Sequence, residues 1–202
     1  MPFMTQRKKA ILNAAAKLFK ERGYSAITMR DLAEELDIKA SSLYNHISGK
    51  HEILSSLVLK VAQSFSSGMN EISAGGDSAF AKAEQLIQLH INIALSYPAE
   101  LAVLNNDWMH LEGKDYEAYQ RMRQDYERDF KIILEDGITN EEFKSFHVDT
   151  MLFNLLSTLR SIYLWIPKRS ASEIADLQIE LPKMLLNGLA NQSLTASSSS
   201  TG

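Results

Sequence analysis

The sequence lacks cysteine altogether, which excludes disulfide bonds and metal sites built on thiolates. It also lacks an apolar run long enough to span a membrane, and no secretory signal stands at its start. The 202 residues are 45 % hydrophobic, which is enough for a packed core in one or two domains. These features predict a cytoplasmic globular protein with no membrane partner.

Signatures of catalysis and of metal binding are also missing. There is no H-E-x-x-H, no G-x-S-x-G and no phosphate-binding glycine loop. Asp125, Glu127 and Asp129 alternate with other residues on a charged helix, which indicates a solvated face rather than a catalytic carboxylate pair. His90 and His110 could meet in space, although isolated histidines are more often structural. We therefore predict neither an enzyme nor a cofactor, and a metal sensor stays as an alternative.

Alternating β-strand patterns of useful length are absent, and no internal repeat is visible. Apolar residues instead recur at helical spacing, which predicts an all-α protein of about nine helices. Beyond the first 50 residues, the expected helices span 50–72, 78–96, 98–111, 115–135, 141–165 and 172–190. We expect Gly113 to interrupt a helix, Gly137 to end one and Pro182 to kink or restart the last. Residues 191–202 are rich in serine and predict a disordered tail.

The charge of the chain is uneven along its length. Residues 1–50 carry nine Lys and Arg against five Asp and Glu, a net charge of +4, whereas residues 51–202 carry twelve against twenty, a net charge of −8. The overall net charge of −4 therefore does not exclude nucleic acid as a partner, because the basic residues are concentrated at one end. Arg7, Lys8 and Lys9 extend this end as an expected phosphate-contacting arm.

Residues 28–50 contain two short amphipathic patterns joined by a tight turn. Thr28 is suited to cap the first, and Asp31 follows three residues later, close to a capping box. In the second pattern, Leu43 and Ile47 are four residues apart and face inward. The outward face is left with Ser41, Ser42, Tyr44, Asn45 and His46. A short helix with such a face is typical of a helix-turn-helix that lies in a major groove of DNA.

A longer amphipathic pattern over residues 7–22 precedes this pair, and Gly23 is suited to end it in the left-handed conformation. The run from Ala14 to Leu54 resembles the DNA-binding domain of the TetR family of bacterial repressors. The match is carried by Leu18, Phe19, Gly23, Tyr24, Thr28, Leu32, Ala33, Ile38, Leu43, Tyr44, His46, Lys50 and Leu54. The chain departs from the family pattern at Ile47, where phenylalanine is usual, and at Asp37, where glycine is usual and aspartate is expected to be slightly strained.

The resemblance implies that residues on and beside the short helices bind double-stranded DNA. Thr28 and Lys50 would hold backbone phosphates at the starts of the second and fourth helices, because helix N-termini bind anions. Tyr44 and His46 would contact phosphate or sugar, and Lys39 would lie beside the duplex. The better candidates for contact with base edges are Arg30, Ser41, Ser42 and Asn45.

The helix expected over 141–165 is apolar around nearly its whole circumference. Such a helix is buried on all sides, so one face would pack inside the subunit and the other against a second subunit. A partner stripe in the last helix consists of Leu177, Leu181, Leu185 and Leu189. Two helices from each chain would form the four-helix interface that is usual in the TetR family. A homodimer would also place two recognition helices in successive major grooves, about 34–36 Å apart on a pseudo-palindromic site.

The predicted organisation is a helix-turn-helix domain over 1–50, a helical effector-binding and dimerisation domain over 51–190, and the tail over 191–202. In TetR-like proteins the body commonly encloses a small-molecule pocket, and the ligand lowers DNA affinity. Asn154 and Thr158 are polar residues in an apolar helix and would orient a polar group of the ligand. The other candidate lining residues are Leu104, Trp108, Met109, His110, Tyr126, Phe130, Met151, Leu155 and Tyr163. Their character predicts a hydrophobic or aromatic effector, such as one with an acyl chain.

The sequence thus predicts a repressor that binds operator DNA as a dimer and is released by a small molecule. Release is expected as a population shift between recognition-helix spacings, transmitted through the helix predicted over 50–72. A tenfold loss of DNA affinity requires the effector to prefer one state by about 1.4 kcal/mol. The alternative is a protein-interaction or metal-sensing helical protein with a vestigial helix-turn-helix, against which the intact polar face and the basic N-terminal region both argue.

Overall fold

Helices account for all regular secondary structure in residues 5–191, the part of the chain that the computed structural model describes. Their bounds are α1 Gln6–Arg22, α2 Met29–Glu35, α3 Ala40–Tyr44, α4 Lys50–Ala74, α5 Ala79–Ser96, α6 Pro98–Asp107, α7 Gly113–Thr139, α8 Val148–Trp165 and α9 Ala171–Asn187. Short 3-10 turns follow α6 and α8. The prediction of an all-α protein with about nine helices is confirmed. The tail predicted to be disordered lies, except for Asn191, outside the described residues.

The helices are divided between two compact units. Of the described residues, the first unit contains 5–63 together with Tyr97–Met122. In it α1 packs against α2 and α6, and α2 packs against α3. Its fully buried side chains include Ile11, Phe19, Ile27, Leu32, Leu43, Ile47, Ile53, Leu54 and Leu57. The helix-turn-helix pair is therefore seated on the same core as the long first helix.

Of the described residues, the second unit contains Ser64–Ser96 and residues 123–191. Helix α5 packs against both α8 and α9. Apolar residues at helical spacing form this core, among them Leu86, Ile87, Ile91, Phe130, Leu134, Leu155, Leu159 and Leu186. Helices α4 and α7 each contribute residues to both units.

Several helix boundaries predicted from the sequence were wrong. Gly113 begins α7 instead of separating two helices, and Gly137 lies inside it. The helix expected from residue 141 begins only at Val148, because Glu141 has a φ of 60° and the chain turns there. Phe143 then forms an isolated antiparallel bridge with Ala190. The last helix does not restart at Pro182, which lies within α9.

Gly137 lies inside α7 at a position where the side chains of Phe143 and Ala79 come too close for a Cβ atom, and its backbone φ is not positive. A Cβ atom there would overlap the ring of Phe143, which is 1 % exposed, and would stand 3.1 Å from the Cβ of Ala79. We expect overpacking in Gly137→Ala to lower the free energy of unfolding by about 1–3 kcal/mol. The higher helix propensity of alanine offsets up to about 1 kcal/mol of this loss. Urea unfolding followed by circular dichroism measures this change.

The matched control for this prediction is Gly68→Ala in α4. A Cβ at Gly68 would lie 2.6 Å from the two terminal methyl carbons of Leu89, which is only half-buried and can rotate away. The control should therefore cost less than Gly137→Ala. Equal or greater stability of Gly137→Ala would show that the approach of Phe143 is not tight.

Candidate nucleic-acid interface

Helix α2 begins with a complete capping box. The Thr28 hydroxyl accepts from the Asp31 backbone N–H at 3.2 Å, and the Asp31 carboxylate accepts from the Thr28 backbone N–H at 2.7 Å and from its hydroxyl at 2.6 Å. The hydrogen bonds from the Thr28 hydroxyl and backbone hold the pKa of the Asp31 carboxyl below its usual range. The start of α2 is thereby determined by local sequence, and the sequence signal for it is confirmed.

The turn that follows α2 is tight and places Asp37 in the left-handed region, with a φ of 51°. Ile38 then donates its backbone N–H to the Ala33 carbonyl at 3.0 Å. The left-handed region favours glycine because it has no Cβ, so the aspartate at this position carries a small conformational cost. Helix α3 begins directly after this turn, with Lys39 as its N-cap residue.

Helix α3 has one buried face and one exposed face. Leu43 is completely buried and Ile47, just beyond the helix, is 2 % exposed. The opposite face is polar, and on it Tyr44 keeps 55 % of its surface exposed. The remaining exposed side chains at this helix are Lys39, Ser41, Asn45 and His46, with Ser42 half-buried. The structure thus brings together in one unit six of the nine residues predicted to bind DNA.

Two of the other three predicted residues lie at the start of α2, Thr28 as its N-cap and Arg30 in its first turn. Thr28 is exposed while its hydroxyl completes the capping box. The guanidinium of Arg30 is almost fully exposed, and its nearest charged partner is Glu34, 3.5 Å away one turn along the helix. Such an exposed pair contributes little to stability, so Arg30 is available to an anionic partner.

Lys50, the ninth predicted residue, is held within the unit. Its ammonium group donates to the backbone carbonyl of Tyr24 at 3.0 Å and to that of Ile27 at 2.8 Å. The same group lies 4.2 Å from the centroid of the Tyr24 ring. In the DNA-free protein the Lys50 ammonium group is therefore already bound to two carbonyls and an aromatic ring.

Glu52 is a structural residue of this region that the sequence analysis missed. Its carboxylate accepts from the Lys8 ammonium at 2.5 Å, from the Ser48 backbone N–H at 2.7 Å and from the Ser48 hydroxyl at 2.8 Å. Partial burial tends to raise the pKa of Glu52, but the bonds from Lys8 and Ser48 outweigh it and lower the pKa. Ser48 and Glu52 are four residues apart, one more than the spacing of a capping box, so the sequence carried no standard signal for this contact.

The basic arm expected at residues 7–9 is part of α1, which begins at Gln6. Arg7 and Lys9 are exposed, whereas Lys8 is paired with Glu52 as described above. Thr5 caps this helix by accepting from the Lys8 backbone N–H at 3.3 Å, and the phosphate contact expected of the three basic residues stays a prediction. The helix therefore starts before the three basic residues.

The end of α6 and the 3-10 turn that follows it contact the loop between α1 and α2. A carboxylate oxygen of Asp107 accepts from the Tyr24 backbone N–H at 3.2 Å. The ring of His110 stacks on that of Tyr24 with a centroid distance of 5.3 Å, and its Nε2 lies 3.3 Å from the Ser25 hydroxyl. Burial raises the pKa of the Asp107 carboxyl, partly offset by the Tyr24 hydrogen bond.

The residues predicted to line an effector pocket are divided between the two units. The first unit holds Leu104, Trp108, Met109 and His110, and the second holds Tyr126, Phe130, Met151, Asn154, Leu155, Thr158 and Tyr163. Met109 and Asn154 are exposed and Thr158 is half-buried. The buried Tyr126 hydroxyl lies 2.9 Å from Nε2 of His90. Burial, with a smaller effect of the Arg160 charge, lowers the pKa of His90 to about 3, so this imidazole is neutral.

The three carboxylates considered for catalysis, Asp125, Glu127 and Asp129, are occupied by ion pairs. Arg128 contacts Asp125 at 2.5 Å and Asp129 at 3.0 Å. Glu127 contacts Arg160 at 2.5 Å and Arg123 at 3.2 Å. Within residues 5–191, no three His, Cys, Asp or Glu side chains are grouped so that they could hold a metal ion. No helix in this part of the chain is long and apolar enough to cross a membrane.

Two segments of the chain match models of known protein families. Residues 11–57 match the model of the bacterial regulatory proteins of the tetR family, and residues 76–189 match that of the tetracyclin repressor-like C-terminal domain. The HTH-type transcriptional repressor KstR2 of Rhodococcus jostii RHA1 is 26 % identical over 140 residues, which are 69 % of each chain. The relatives are regulators of transcription and not enzymes.

Solved structures show the same fold. The ketosteroid transcriptional regulator KstR2 of Mycobacterium tuberculosis superimposes with a TM-score of 0.87 at 19 % identity, covering 94 % of this chain and 98 % of that one. AibR, solved in complex with isovaleryl coenzyme A and operator DNA, gives a TM-score of 0.74 at 18 % identity, covering 90 % and 97 %. At such identities the likeness is one of fold alone.

Proposed function

This chain belongs to the TetR family of bacterial transcriptional regulators, and we propose that it is a repressor that binds a pseudo-palindromic operator as a homodimer in the cytoplasm. The observation that carries the proposal is the two-sided α3. Leu43 and Ile47 anchor the helix in the core while its polar face stays exposed, as a helix in a major groove requires.

The proposed DNA contacts follow the exposure of each side chain. Ser41, Ser42 and Asn45 carry short hydrogen-bonding groups suited to base edges, and Arg30 extends from α2 with its guanidinium exposed. Phosphate or sugar contacts are assigned to Thr28, Lys39, Tyr44 and His46. Lys50 would contribute its backbone N–H at the start of α4, because the first N–H groups of a helix have no acceptor within the helix and can bind a phosphate.

A dimer interface on α8 and α9 is supported by apolar side chains left exposed in the single chain. Phe153 on α8 is 73 % exposed, and Ile179 and Met184 on α9 are 59 % and 72 % exposed. Leu164 and Trp165 extend the apolar surface of α8. Large side chains of this kind rarely remain in water in such numbers, so a second copy of the same two helices is the proposed cover.

Selection of bound sequences from a pool of random duplexes tests the proposed function. The expected result is an inverted repeat whose half-site centres are one helical turn of DNA, about 10 base pairs, or a multiple of it apart. Recovery of no enriched motif, under conditions in which the protein remains folded, would contradict the assignment of a sequence-specific regulator.

We further propose a hydrophobic effector, either an acyl thioester or a fused-ring compound. The proposal is supported by the apolar and aromatic character of the candidate residues buried in the second unit, Tyr126, Phe130, Met151, Leu155 and Tyr163, and by the isovaleryl coenzyme A bound to the structurally similar AibR. Binding would favour dimer states in which the recognition helices no longer match successive grooves, and a preference of about 1.4 kcal/mol is enough for a tenfold loss of affinity.

Acyl-coenzyme A thioesters of increasing chain length are expected to release the protein from its operator at lower concentrations than free coenzyme A does. Fluorescence anisotropy of a labelled operator measures this release, with free coenzyme A as the control for its nucleotide part. A screen in which only highly charged sugars or metal ions caused release would overturn the assignment of a hydrophobic effector.

A further inference from the structure

Both backbone polar groups of Tyr24, its N–H and its carbonyl, are hydrogen-bonded to side chains. Its N–H donates to Asp107 at 3.2 Å, and its carbonyl accepts from the Lys50 ammonium at 3.0 Å. The same ammonium binds the carbonyl of Ile27 at 2.8 Å. Ile27 directly precedes Thr28, the N-cap of α2. Two side chains thus hold the loop from which the helix-turn-helix pair begins.

The two side chains come from distant parts of the sequence. Asp107 ends α6 and lies 83 residues from Tyr24, within the region that matches the C-terminal family model and outside the one that matches the DNA-binding model. It is 7 % exposed, and a carboxylate at such a depth must be compensated by hydrogen bonds and opposite charge. The Tyr24 N–H and the electrostatic interactions with His110 and Lys50 provide part of this compensation, although burial still raises the pKa of the Asp107 carboxyl overall.

The Tyr24 ring strengthens the same arrangement. It packs edge-on against Phe19, stacks on His110 and receives the Lys50 ammonium on its face, 4.2 Å from the centroid. An ammonium group has three donors, of which Lys50 uses two on backbone carbonyls. Moving this group onto a DNA phosphate would cost two charge-assisted hydrogen bonds and a cation–π contact.

We propose that Lys50 and Asp107 are positioning residues for operator binding, which together clamp the Tyr24 peptide and set the approach of α2 and α3 to DNA. The side chain of Lys50 acts through this clamp and not as a phosphate ligand. Asp107, although far from the DNA-binding motif in sequence, is a determinant of DNA affinity. This inference rests on the proposed function, since it concerns binding to an operator.

Salt dependence of operator binding distinguishes a positioning lysine from a phosphate ligand. Loss of one phosphate contact lowers the slope of log affinity against log salt by about one. For Lys50→Met we expect about a tenfold loss of affinity with the slope unchanged. Lys39→Met, at an exposed lysine beside α3, is the comparison variant and should lower the slope by about one. A slope reduced by about one in Lys50→Met would overturn the proposal.

Asp107 variants test the clamp without touching a cationic residue. Asp107→Ala removes the acceptor for the Tyr24 N–H and should weaken operator binding about tenfold, as expected for a buried hydrogen bond. Asp107→Asn keeps an acceptor oxygen and should bind more tightly than Asp107→Ala. A purely electrostatic role predicts the opposite, because removing a negative charge strengthens DNA binding by any such protein. Operator affinity of Asp107→Ala at or above that of the wild type would therefore contradict the clamp.

Hydrogen exchange of the Tyr24 amide in the DNA-free protein provides a readout that does not depend on operator binding. The amide should exchange slowly in the wild type and in Asp107→Asn, and faster in Asp107→Ala. Unchanged exchange in Asp107→Ala would overturn the clamp even if Lys50→Met failed to fold. A wild-type protein with a protected Tyr24 amide and no operator binding would instead contradict the proposed function.

Discussion

The double variant Ile179→Glu, Met184→Glu is expected to be a monomer that binds the operator at least about a hundredfold more weakly, since a monomer reaches only one half-site. Both side chains are exposed in the single chain and lie on the helix proposed to meet its copy. Twofold symmetry places four carboxylates in the interface, and burying unpaired charges opposes association strongly. Sedimentation velocity gives the oligomeric state, and fluorescence anisotropy gives the affinity.

The matched control is Ile132→Glu in α7. Ile132 is also an exposed apolar residue, but it lies outside α8 and α9. This variant should remain a dimer and bind the operator as the wild type does. A double variant that stayed dimeric would place the interface elsewhere, and a monomeric wild type would contradict the dimer itself.

The variant Asn45→Ala is expected to lose discrimination between the selected operator and an unrelated duplex. A hydrogen-bonded base contact contributes about 1–3 kcal/mol to discrimination, which corresponds to roughly 5-fold to 150-fold in relative affinity. Because Asn45 carries no charge, affinity for the unrelated duplex and its salt dependence should hardly change. Competition binding of the two duplexes, measured by anisotropy, gives the ratio directly.

Asn13→Ala serves as the control for this variant. Asn13 is an exposed asparagine on α1, and its replacement should leave both affinities unchanged. Equal discrimination by Asn45→Ala and the wild type would remove Asn45 from the residues proposed to read bases.

Local interactions explain why the N-terminal helices were predictable. The capping box of Thr28 and Asp31 spans three residues, and the inward pair Leu43 and Ile47 spans four, so both are visible in a short stretch of sequence. The left-handed turn at Asp37 was expected from the position at which the family has glycine. Each of these features depends on neighbours in the chain.

Contacts between distant residues account for what the sequence did not reveal. In the turn after α7, Phe143 packs against Gly137 and forms an antiparallel bridge with Ala190. Neither contact produces a periodic pattern in the sequence. Lys8 meets Glu52 across 44 residues, and Tyr24 meets Asp107 across 83. A lysine that holds backbone carbonyls has the same local sequence as one that binds phosphate, so Lys50 could be interpreted only with its partners in view.

The most direct test of the account is operator binding by the wild type and by Tyr44→Ala over a series of salt concentrations, measured by anisotropy on the selected duplex and on a scrambled one. We predict tight and sequence-specific binding by the wild type that weakens steeply with salt, and a strong defect in Tyr44→Ala, whose side chain is exposed on α3. Weak binding that was equal for the two proteins and the two duplexes would contradict a DNA-reading role for α3.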